Sequence, residues 1–307
     1  MIRVRNLTKT FKSFTAVKGI SFDVEQGEIF AFLGPNGAGK TTTIKMLTTM
    51  LSPSSGTIEL DGINTVRHQM AARKKFGIVF QDPSLDEQQT AYENMELHGI
   101  LYGMPRKLRV ERIEELLTIF ELWDRRKDFV KEFSGGMKRR LEIARGLLHM
   151  PKIFFLDEPT LGLDPQSRSQ LWTHVKYLNE TENTTIFLTT HYMDEAEQLC
   201  DRLVVMDHGK IVAEGSPQAL IREHATREVL ELRFGIGEQQ AALDKVHEGQ
   251  PDARIEPLPD RLLWYADDGE AALAAVHRLG LTPVTALVRR STLEDVFLAL
   301  TGRTLVD

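Results

Sequence analysis

The chain has 307 residues, which is long enough for two domains with substantial cores. Its 44 acidic and 38 basic residues give a formal net charge of -6, so composition offers no electrostatic case for nucleic acid as a partner. A single cysteine, Cys200, excludes an internal disulfide and suits a reducing compartment.

Hydropathy gives no sign of a secretion signal or a membrane segment. The amino end, Met-Ile-Arg-Val-Arg-Asn, lacks the apolar core of a secretion signal. No apolar run comes near the ~18 residues that a membrane helix needs. We therefore expect a cytosolic chain whose role at a membrane, if it has one, comes through a partner.

Strand-like runs fill the first part of the chain. They cover residues 2–4, 16–24 and 29–33, and residues 56–60 followed by Asp61-Gly62 predict one arm of a hairpin. Phe11 lies between the first two runs. An exposed aromatic ring beside a nucleotide site can stack on a purine, whereas an isolated phenylalanine is more often a core residue, so its type alone leaves both roles open.

A glycine-rich stretch directly after the third run matches the phosphate-binding pattern G-x-x-x-x-G-K-[ST]. It comprises Gly34, Pro35, Asn36, Gly37, Ala38, Gly39, Lys40, Thr41 and Thr42. Glycines let the backbone wrap a phosphate chain with its N–H groups inward, and the helix predicted after the loop directs its positive dipole end to the same place. Lys40 should neutralise the β- and γ-phosphates, and the Thr41 hydroxyl should coordinate Mg²⁺.

The next buried-strand candidate covers residues 75–80 and is followed by Gln81. Ligands of open α/β sheets gather at the carboxyl ends of parallel strands. Gln81 is therefore placed where it can reach a ligand, although by position alone a glutamine in a turn is the more frequent reading.

The pattern becomes helical from about residue 92 to 122. One face of this region is apolar, with Val110, Ile113, Leu117 and Phe120 at helical spacing. The other face is charged, with Glu111, Arg112, Glu114 and Glu115. We expect a small helical subdomain, about residues 88–150, set into the α/β core.

Near the end of that region, Ser134 precedes a helix whose apolar stripe is Met137, Leu141, Ala144 and Leu148. Ser134 can cap this helix, and Gly135 and Gly136 leave the first-turn N–H groups open to an anion. Because capped helix starts occur in every protein, spacing alone does not decide between an anion site and an ordinary helix start.

Two carboxylates, Asp157 and Glu158, follow the apolar strand of residues 153–156. Burying adjacent acids is costly without a cation or a proton. At the same sheet edge as the glycine-rich loop, Asp157 suits Mg²⁺ at the phosphates, and Glu158 suits a general base that activates water. This pair is the second half of the predicted site.

Further polar residues follow later elements. Asp164 precedes a helix and can cap it, while His191 comes directly after the strand of residues 184–190, where it can reach a γ-phosphate. Residues 203–206 and 210–212 then predict a closing hairpin.

A different pattern begins at about residue 227. Strands at 229–234, 254–256, 262–266 and 284–289 and helices at 238–247 and 270–279 give the order β-α-β-β-α-β, the split βαβ of ferredoxin-like domains. A last helix carries Leu293, Val296, Phe297 and Leu300 on one face. We divide the chain into domains 1–220 and 221–307, and the second contains no catalytic constellation, which favours regulation or dimer contact.

Together, these motifs resemble the ATP-binding subunits of ABC transporters over roughly residues 2–220. The resemblance implies Phe11 as the adenine-stacking ring, Gln81 as the Q-loop residue, Ser134-Gly135-Gly136 as the signature and Asp164 as the D-loop acid. It further implies Lys40, Gln81, Glu158 and His191 as catalytic residues, and Thr41, Gln81 and Asp157 as magnesium ligands. Phe133 and Met137 depart from the family's Leu-Ser-Gly-Gly-Gln, and Met137 cannot make the hydrogen bonds of the glutamine. The segments 133–141 and 291–303 look like those of drug-resistance-type ATPases of the ABC-2 exporter group.

The resemblance implies an α/β fold: a P-loop NTPase core with an antiparallel β subdomain, an inserted helical subdomain and a ferredoxin-like C-terminal domain. It implies ATP and Mg²⁺ as cofactors and a head-to-tail homodimer that sandwiches two ATP molecules, since the chain shows no arginine finger in cis. The remaining expected partners are separate transmembrane permease subunits, which would hold the chain at the inner face of the cell membrane, with no nucleic acid.

Two alternatives belong to other classes. An ABC-type switch on a ribosome or repair complex is disfavoured by the net negative charge, the single cassette and the lack of a long coiled coil. A kinase would need an acceptor site and would leave residues 134–136 unexplained.

Overall fold

A computed structural model describes residues 1–302, which form parts of two compact units, Met1–Gly215 and Ser216–Asp307. The boundary lies five residues before the one expected from sequence. The reason is that the helix Pro217–His224 packs against the last helix of the chain, Leu293–Thr301, and so belongs to the second unit. No helix within residues 1–302 has both the length and the apolar character needed to cross a bilayer.

The first unit contains ten strands and seven α-helices among its described residues. The strands are β1 Ile2–Phe11, β2 Phe14–Val24, β3 Ile29–Leu33, β4 Ser55–Leu60, β5 Ile63–Asn64, β6 Phe76–Val79, β7 Ile153–Asp157, β8 Thr185–Thr190, β9 Arg202–Asp207 and β10 Lys210–Gly215. The helices are α1 Lys40–Leu47, α2 Gln69–Arg73, α3 Ala91–Leu101, α4 Arg106–Ile119, α5 Gly135–Leu147, α6 Pro165–Glu182 and α7 Met193–Leu199.

Two sheets organise this unit. An antiparallel sheet has the order β2-β1-β4-β5, and a six-stranded sheet has the order β10-β9-β3-β8-β7-β6. Within the larger sheet only β10 runs antiparallel to its neighbour. The predicted combination of a mainly parallel core with an antiparallel β subdomain is confirmed. β1 is longer than expected because it pairs with both β2 and β4 along its length.

Aromatic packing holds the two sheets together. Phe22 of the antiparallel sheet lies within 6.0 Å, ring centroid to centroid, of Phe30, Phe32 and Phe187 of the larger sheet. All residues of β3, β7 and β8 are buried, which is expected of parallel strands covered on both faces. The ends of these strands are therefore fixed by a dense core.

The helical region contains two helices where the sequence suggested one continuous pattern. α3 and α4 are separated by Tyr102, Gly103, Met104 and Pro105, since proline suits a helix start but not a helix interior. The predicted positions of two residues on this region's faces were wrong. Val110 is exposed, and Arg112 is buried because it forms ion pairs with Glu115 and Glu182.

A cluster of rings joins α3 to the end of α5. Tyr102 stacks on His149 with ring centroids 3.8 Å apart, and His98 lies 4.8 Å from Tyr102. His149 Nε2 is 3.1 Å from the carbonyl oxygen of Phe76, which ties the cluster to β6. Burial lowers the pKa of His98 to about 3 and that of His149 to about 4.

We expect the ring cluster to make stability depend on pH. Below about pH 6.5 an unfolded histidine binds a proton that the buried His98 and His149 do not, so the free energy of unfolding should fall as pH decreases from 7 to 5. The loss should be on the order of 2 kcal/mol per histidine at pH 5. Urea unfolding at a series of pH values measures it. His98→Phe should flatten the slope, whereas replacing the exposed His277 by glutamine should not; equal slopes for the two variants would contradict the assignment.

The second unit has the ferredoxin-like arrangement expected from sequence. Its elements are α8 Pro217–His224, β11 Glu228–Arg233, α9 Gln239–Gly249, β12 Arg254–Leu258, β13 Arg261–Ala266, α10 Gly269–Arg278, β14 Thr285–Arg290 and α11 Leu293–Thr301. The four strands form one antiparallel sheet in the order β12-β13-β11-β14. α9 and α10 pack on one face through a core that includes Trp264, and Leu298 of α11 packs with Val229 and Tyr265 on the other face.

Candidate nucleotide site

The carboxyl ends of β3, β6, β7 and β8 lie at one edge of the larger sheet, because these strands run parallel and are neighbours. Each end carries a motif that the sequence singled out. A cavity of about 280 Å³ opens among them. Its lining comprises Phe11, Phe14, Ala16, Pro35, Asn36, Gly37, Gly39, Lys40, Thr41, Thr42, Gln81 and Glu158. The fold thus brings the glycine loop, Phe11, Gln81 and Glu158 to one place.

The glycine loop needs its glycines for steric reasons. Gly37 and Gly39 have φ angles of 81° and 105°, in the region that side chains disfavour. A Cβ at Gly39 would lie 2.7 Å from the carbonyl oxygen of Ala16, and one at Gly34 would lie 2.2 Å from that of Met206. The loop therefore closes tightly over β2 and β9 before α1 begins at Lys40.

Lys40 is the buried cation of the site, with only 4% of its surface exposed. Its Nζ donates to the carbonyl oxygens of Gly34 and Pro35 at 2.6 and 3.1 Å and lies 3.4 Å from Glu158 Oε1. Burial lowers the pKa of Lys40, and the nearby Glu158 carboxylate offsets part of this effect. The ammonium group is held at the start of α1, where a phosphate would meet both it and the helix dipole.

Asp157 lies at the end of β7 and is 1% exposed. Its Oδ1 accepts hydrogen bonds from Thr189 Oγ1 at 2.6 Å and from Thr41 Oγ1 at 3.2 Å. Burial raises the pKa of Asp157, so a nearby cation would favour its ionised form. The side chains of Asp157 and Thr41 are therefore close enough to share one ligand.

These donors fit Mg²⁺ bound together with phosphate. In residues 1–302 no three His, Cys, Asp or Glu residues cluster as a metal site. A single carboxylate and a hydroxyl are, however, what a hard cation needs when phosphate oxygens and water complete its octahedron. The residues present thus suit a magnesium ion that arrives with a nucleotide.

Glu158 lies next to the side chains of Lys40 and His191. Its backbone has a φ of 46°, in the left-handed region, and its N–H is held by the carbonyl and hydroxyl oxygens of Thr189, each at 3.1 Å. The side chain is 7% exposed, with Oε2 lying 3.4 Å from His191 Nδ1. The carboxylate therefore sits between Lys40 and His191 at the rim of the glycine loop.

The signature and D-loop residues form a second group. Ser134 caps α5 by accepting from the Met137 N–H at 3.3 Å, as predicted. Asp164 caps α6, accepting from the Ser167 N–H at 2.9 Å and from its hydroxyl at 2.6 Å. A Cβ at Gly136 would lie 2.8 Å from Ser167 Oγ, so the two helix starts are adjacent. Neither Asp164 nor residues 134–136 line the cavity that contains the glycine loop and Glu158.

Sequence reasoning missed Arg139, which lies on α5 and is 8% exposed. Its guanidinium donates to four backbone carbonyl groups: Phe80 at 2.6 Å, Pro159 at 2.7 Å, Asp157 at 3.1 Å and Glu158 at 3.3 Å. It also forms an ion pair of 2.9 Å with Glu142, one helical turn away. That i, i+3 pair of opposite charges on a helix was the available signal, although it is also typical of a solvent-exposed face.

Comparison with known proteins identifies the chain. The sequence profile of the ABC transporter family matches residues 17–161, and that of the C-terminal domain of the nodulation factor export protein NodI matches residues 241–302. The Nod factor export ATP-binding protein I of Rhizobium sp. (strain N33) is 41% identical over 302 residues, which are 98% of this chain and 97% of that protein. The chain belongs to the ABC transporter family of ATP-binding proteins.

Two further similarities are consistent with this ABC family assignment. The daunorubicin/doxorubicin resistance ATP-binding protein DrrA of Streptomyces peucetius is 39% identical over 306 residues, covering 98% of this chain and 92% of that protein. A dimeric ATP-binding cassette in a post-hydrolysis state, bound to ADP and Pi, is 30% identical with a TM-score of 0.65 over 70% of this chain and 98% of that one. The chain is an ABC-type ATPase, a nucleotide-binding subunit of the transporter kind, and the soluble-switch alternative is not supported.

In this ABC ATPase, two aromatic rings border the cavity where one was predicted. Phe11 is 45% exposed, which excludes the core role that its residue type left open. Phe14, at the start of β2, is 62% exposed and lines the same cavity. The hairpin of β1 and β2 pairs the two residues directly. Both rings are available to a flat base.

Proposed function

We propose that the chain binds MgATP in this cavity, pairs head to tail with a second copy, and hydrolyses ATP to power export through separate membrane subunits. The observation that carries the proposal is the position of the Glu158 carboxylate, 3.4 Å from Lys40 Nζ and 3.4 Å from His191 Nδ1 at the rim of the phosphate loop.

The phosphate end of the nucleotide is held by the glycine loop and by the side chains at the strand ends around the cavity. Lys40 places a positive charge at the β- and γ-phosphates, and the N–H groups of residues 34–42 surround them. Thr41, Asp157 and Gln81 would hold Mg²⁺, which neutralises the charge of the triphosphate when bound. Phe11 would stack on the adenine.

Hydrolysis requires a water molecule aimed at the γ-phosphate. The Glu158 carboxylate orients this water molecule and accepts its proton. The Lys40 ammonium group stabilises the negative charge that develops on the γ-phosphate during the attack. His191, next to the carboxylate, positions Glu158 and reaches toward the γ-phosphate. Gln81, exposed after β6, orients the water from the carboxyl end of the strand next to β7.

The signature and D-loop residues would act on the nucleotide bound to another copy of the chain. Ser134, Gly135, Gly136 and Asp164 do not line the cavity of their own chain, yet the N–H groups at a helix start are suited to bind a γ-phosphate. In a head-to-tail pair, they complete the partner's site and supply the positive potential that phosphoryl transfer needs. The similar cassette solved as a dimer with ADP and Pi supports this arrangement.

Export as the direction of transport is supported by the names of the relatives, which describe Nod factor export and drug resistance. The membrane subunits would hold the chain at the cytoplasmic face of the cell membrane. The first unit, Met1–Gly215, would contain the motor, and the ferredoxin-like unit would have an accessory role. Purification in detergent tests this: a polytopic membrane protein should co-purify and stimulate hydrolysis, whereas capture of ribosomes instead would favour a soluble role.

Lys40→Ala should abolish function at the binding step. Removing the lysine ammonium group, which lies 3.4 Å from Glu158 Oε1, should weaken ATP binding and reduce hydrolysis at least 100-fold. Fluorescent-nucleotide binding and phosphate release measure the two effects. The exposed Lys45 lies on the same helix, and Lys45→Ala serves as the control with unchanged activity. A Lys40→Ala protein that binds and cleaves ATP as well as the parent would overturn the proposal.

A further inference from the structure

The second unit contains a cavity of about 410 Å³ that the proposed ATPase cycle does not use. Its lining comprises Gln218, Ile221, Arg222, Ala225, Thr226, Arg227, Asp267, Arg290 and Ser291. Three of these nine residues are arginines. All nine belong to the second unit, so the cavity is complete within that unit.

The fold gathers these residues for two independent reasons. β11 begins at Glu228, which is paired with Arg290 of β14 and Ala266 of β13. Arg227, Arg290 and Asp267 are therefore neighbours at one end of the sheet, and the Ser291 N–H donates to the Arg227 carbonyl oxygen at 3.3 Å. Residues 218, 221, 222 and 225 of α8 and the turn after it lie on one helical face and close the cavity from the other side.

The charge in this cavity is not neutralised by ion pairs. Three other arginines of the unit form ion pairs: Arg233 with Asp260, Arg261 with Asp260 and Glu231, and Arg289 with Glu231 and Asp295. None of Arg222, Arg227 and Arg290 has a carboxylate within 4.0 Å among residues 1–302, although Asp267 lines the same cavity. Three guanidinium groups around one concavity repel one another, and an anion would relieve that repulsion.

The acids closest in sequence are engaged at the start of α10. Asp268 Oδ1 accepts from the Ala271 N–H at 2.9 Å, and Glu228 Oε2 accepts from the Gly269 N–H at 2.8 Å. They are thus held by backbone groups of a different element. Within the described chain Asp267 is the one carboxylate at the cavity, which leaves the lining with an excess of two positive charges.

A buried hydroxyl provides a second observation. Ser291 is 7% exposed, and its Oγ is shielded from solvent and forms no hydrogen bond within residues 1–302. Buried hydroxyl groups are normally paired, so an unpaired one beside a charged cavity indicates a missing acceptor or donor. The Oγ is shielded as the cavity stands, so a phosphate oxygen would reach it only after the Ser291 side chain rotates toward the cavity that this residue lines.

We propose that this cavity is a binding site for a phosphate ester. Arginine forks suit the pairs of oxygens that phosphates present, and three of them beside the Ser291 hydroxyl form a typical donor set, whereas the Thr226 hydroxyl already donates to the Glu228 carbonyl oxygen at 2.9 Å. The volume exceeds that of a phosphate ion, and Ile221 and Ala225 provide an apolar wall for the organic part of the ester. A soluble phosphorylated metabolite and a phospholipid headgroup share this chemistry.

The test uses the full chain with saturating MgADP, so that the nucleotide site is filled. Glycerol 3-phosphate is titrated calorimetrically, and vesicles of phosphatidylglycerol are compared with pure phosphatidylcholine by flotation. Arg222→Gln/Arg290→Gln should weaken binding of the responding probe at least tenfold. Arg278→Gln, which removes an exposed arginine outside the cavity, should leave binding unchanged.

Binding of the soluble probe identifies a metabolite site, and binding of phosphatidylglycerol vesicles alone identifies a headgroup site. The proposal is overturned if neither probe binds the parent, or if the double variant binds as well as Arg278→Gln. Melting curves verify that the variants are folded. Should the double variant melt early, Arg222→Gln alone, which changes an exposed residue of α8, gives the same comparison. ATPase activity is not the readout, so failure here leaves the proposed ATPase function untouched.

Discussion

Glu158→Gln should reduce ATP hydrolysis by about 100-fold or more while ATP binding persists, because the amide keeps the size of the carboxylate but cannot accept a proton. It also removes a negative charge from the rim of the phosphate loop, 3.4 Å from Lys40 Nζ. Both effects stabilise the ATP-bound state, so the variant should accumulate as a dimer in which ATP is held unhydrolysed. Phosphate release and sedimentation velocity in saturating MgATP measure the rate and the assembly.

A matched control separates the carboxylate's chemistry from a general loss of charge. Glu180 is exposed on α6, and Glu180→Gln should hydrolyse ATP at the parental rate without forming a stable dimer. The parent without nucleotide should sediment as a monomer or weak dimer. If Glu158→Gln binds ATP yet remains monomeric at saturation, the head-to-tail sandwich is ruled out.

The position of Glu158 was predictable because it follows a buried apolar strand whose carboxyl end lies at the same sheet edge as the glycine loop. Four apolar residues before Asp157 indicated a strand buried on both faces, and the glycine loop required a magnesium-side acid at the same sheet edge. Parallel neighbours then place their carboxyl ends together, whatever the sequence between them. The ferredoxin-like order of the second unit was predictable for a different reason, because it followed from the succession of four apolar runs and two helical patterns.

What sequence could not predict depends on contacts distant along the chain. Arg112 was assigned to a polar face, but Glu182, 70 residues away, forms an ion pair that allows its burial. Phe14 gave no signal, because its exposure depends on how the first hairpin borders the glycine loop. Arg139 was missed because its partners are backbone carbonyl groups at the ends of remote strands. No residue pattern encodes such partners.

Arg139→Ala should have the largest effect on stability among single changes around the site. Four backbone carbonyl groups lose a charged donor, and Glu142, 3% exposed, is left as a buried acid without its cation. Breaking such a buried pair costs about 3–5 kcal/mol in free energy of unfolding. Urea denaturation measures it.

The same change should lower the hydrolysis rate by more than the stability loss explains. Glu158 has a left-handed backbone that costs on the order of 1 kcal/mol, and its conformation is held by Thr189 on the N–H side and Arg139 on the carbonyl side. With the guanidinium gone, the carboxylate should lose its fixed position, so kcat should fall while the affinity for ATP changes little. Gln81 should be affected too, because Arg139 also binds the Phe80 carbonyl group.

Two further variants separate the positioning role of Arg139 from its charge. Arg140→Ala removes the adjacent arginine, whose partner Glu121 is 61% exposed, and should cost less than about 1 kcal/mol with no change in kcat. Arg139→Lys keeps the charge, but a single ammonium group cannot reach four carbonyl groups at once, so kcat should stay low even where stability is partly restored. Equal kcat for Arg139→Lys and the parent would mean that charge alone matters and that α5 does not position the catalytic strand ends.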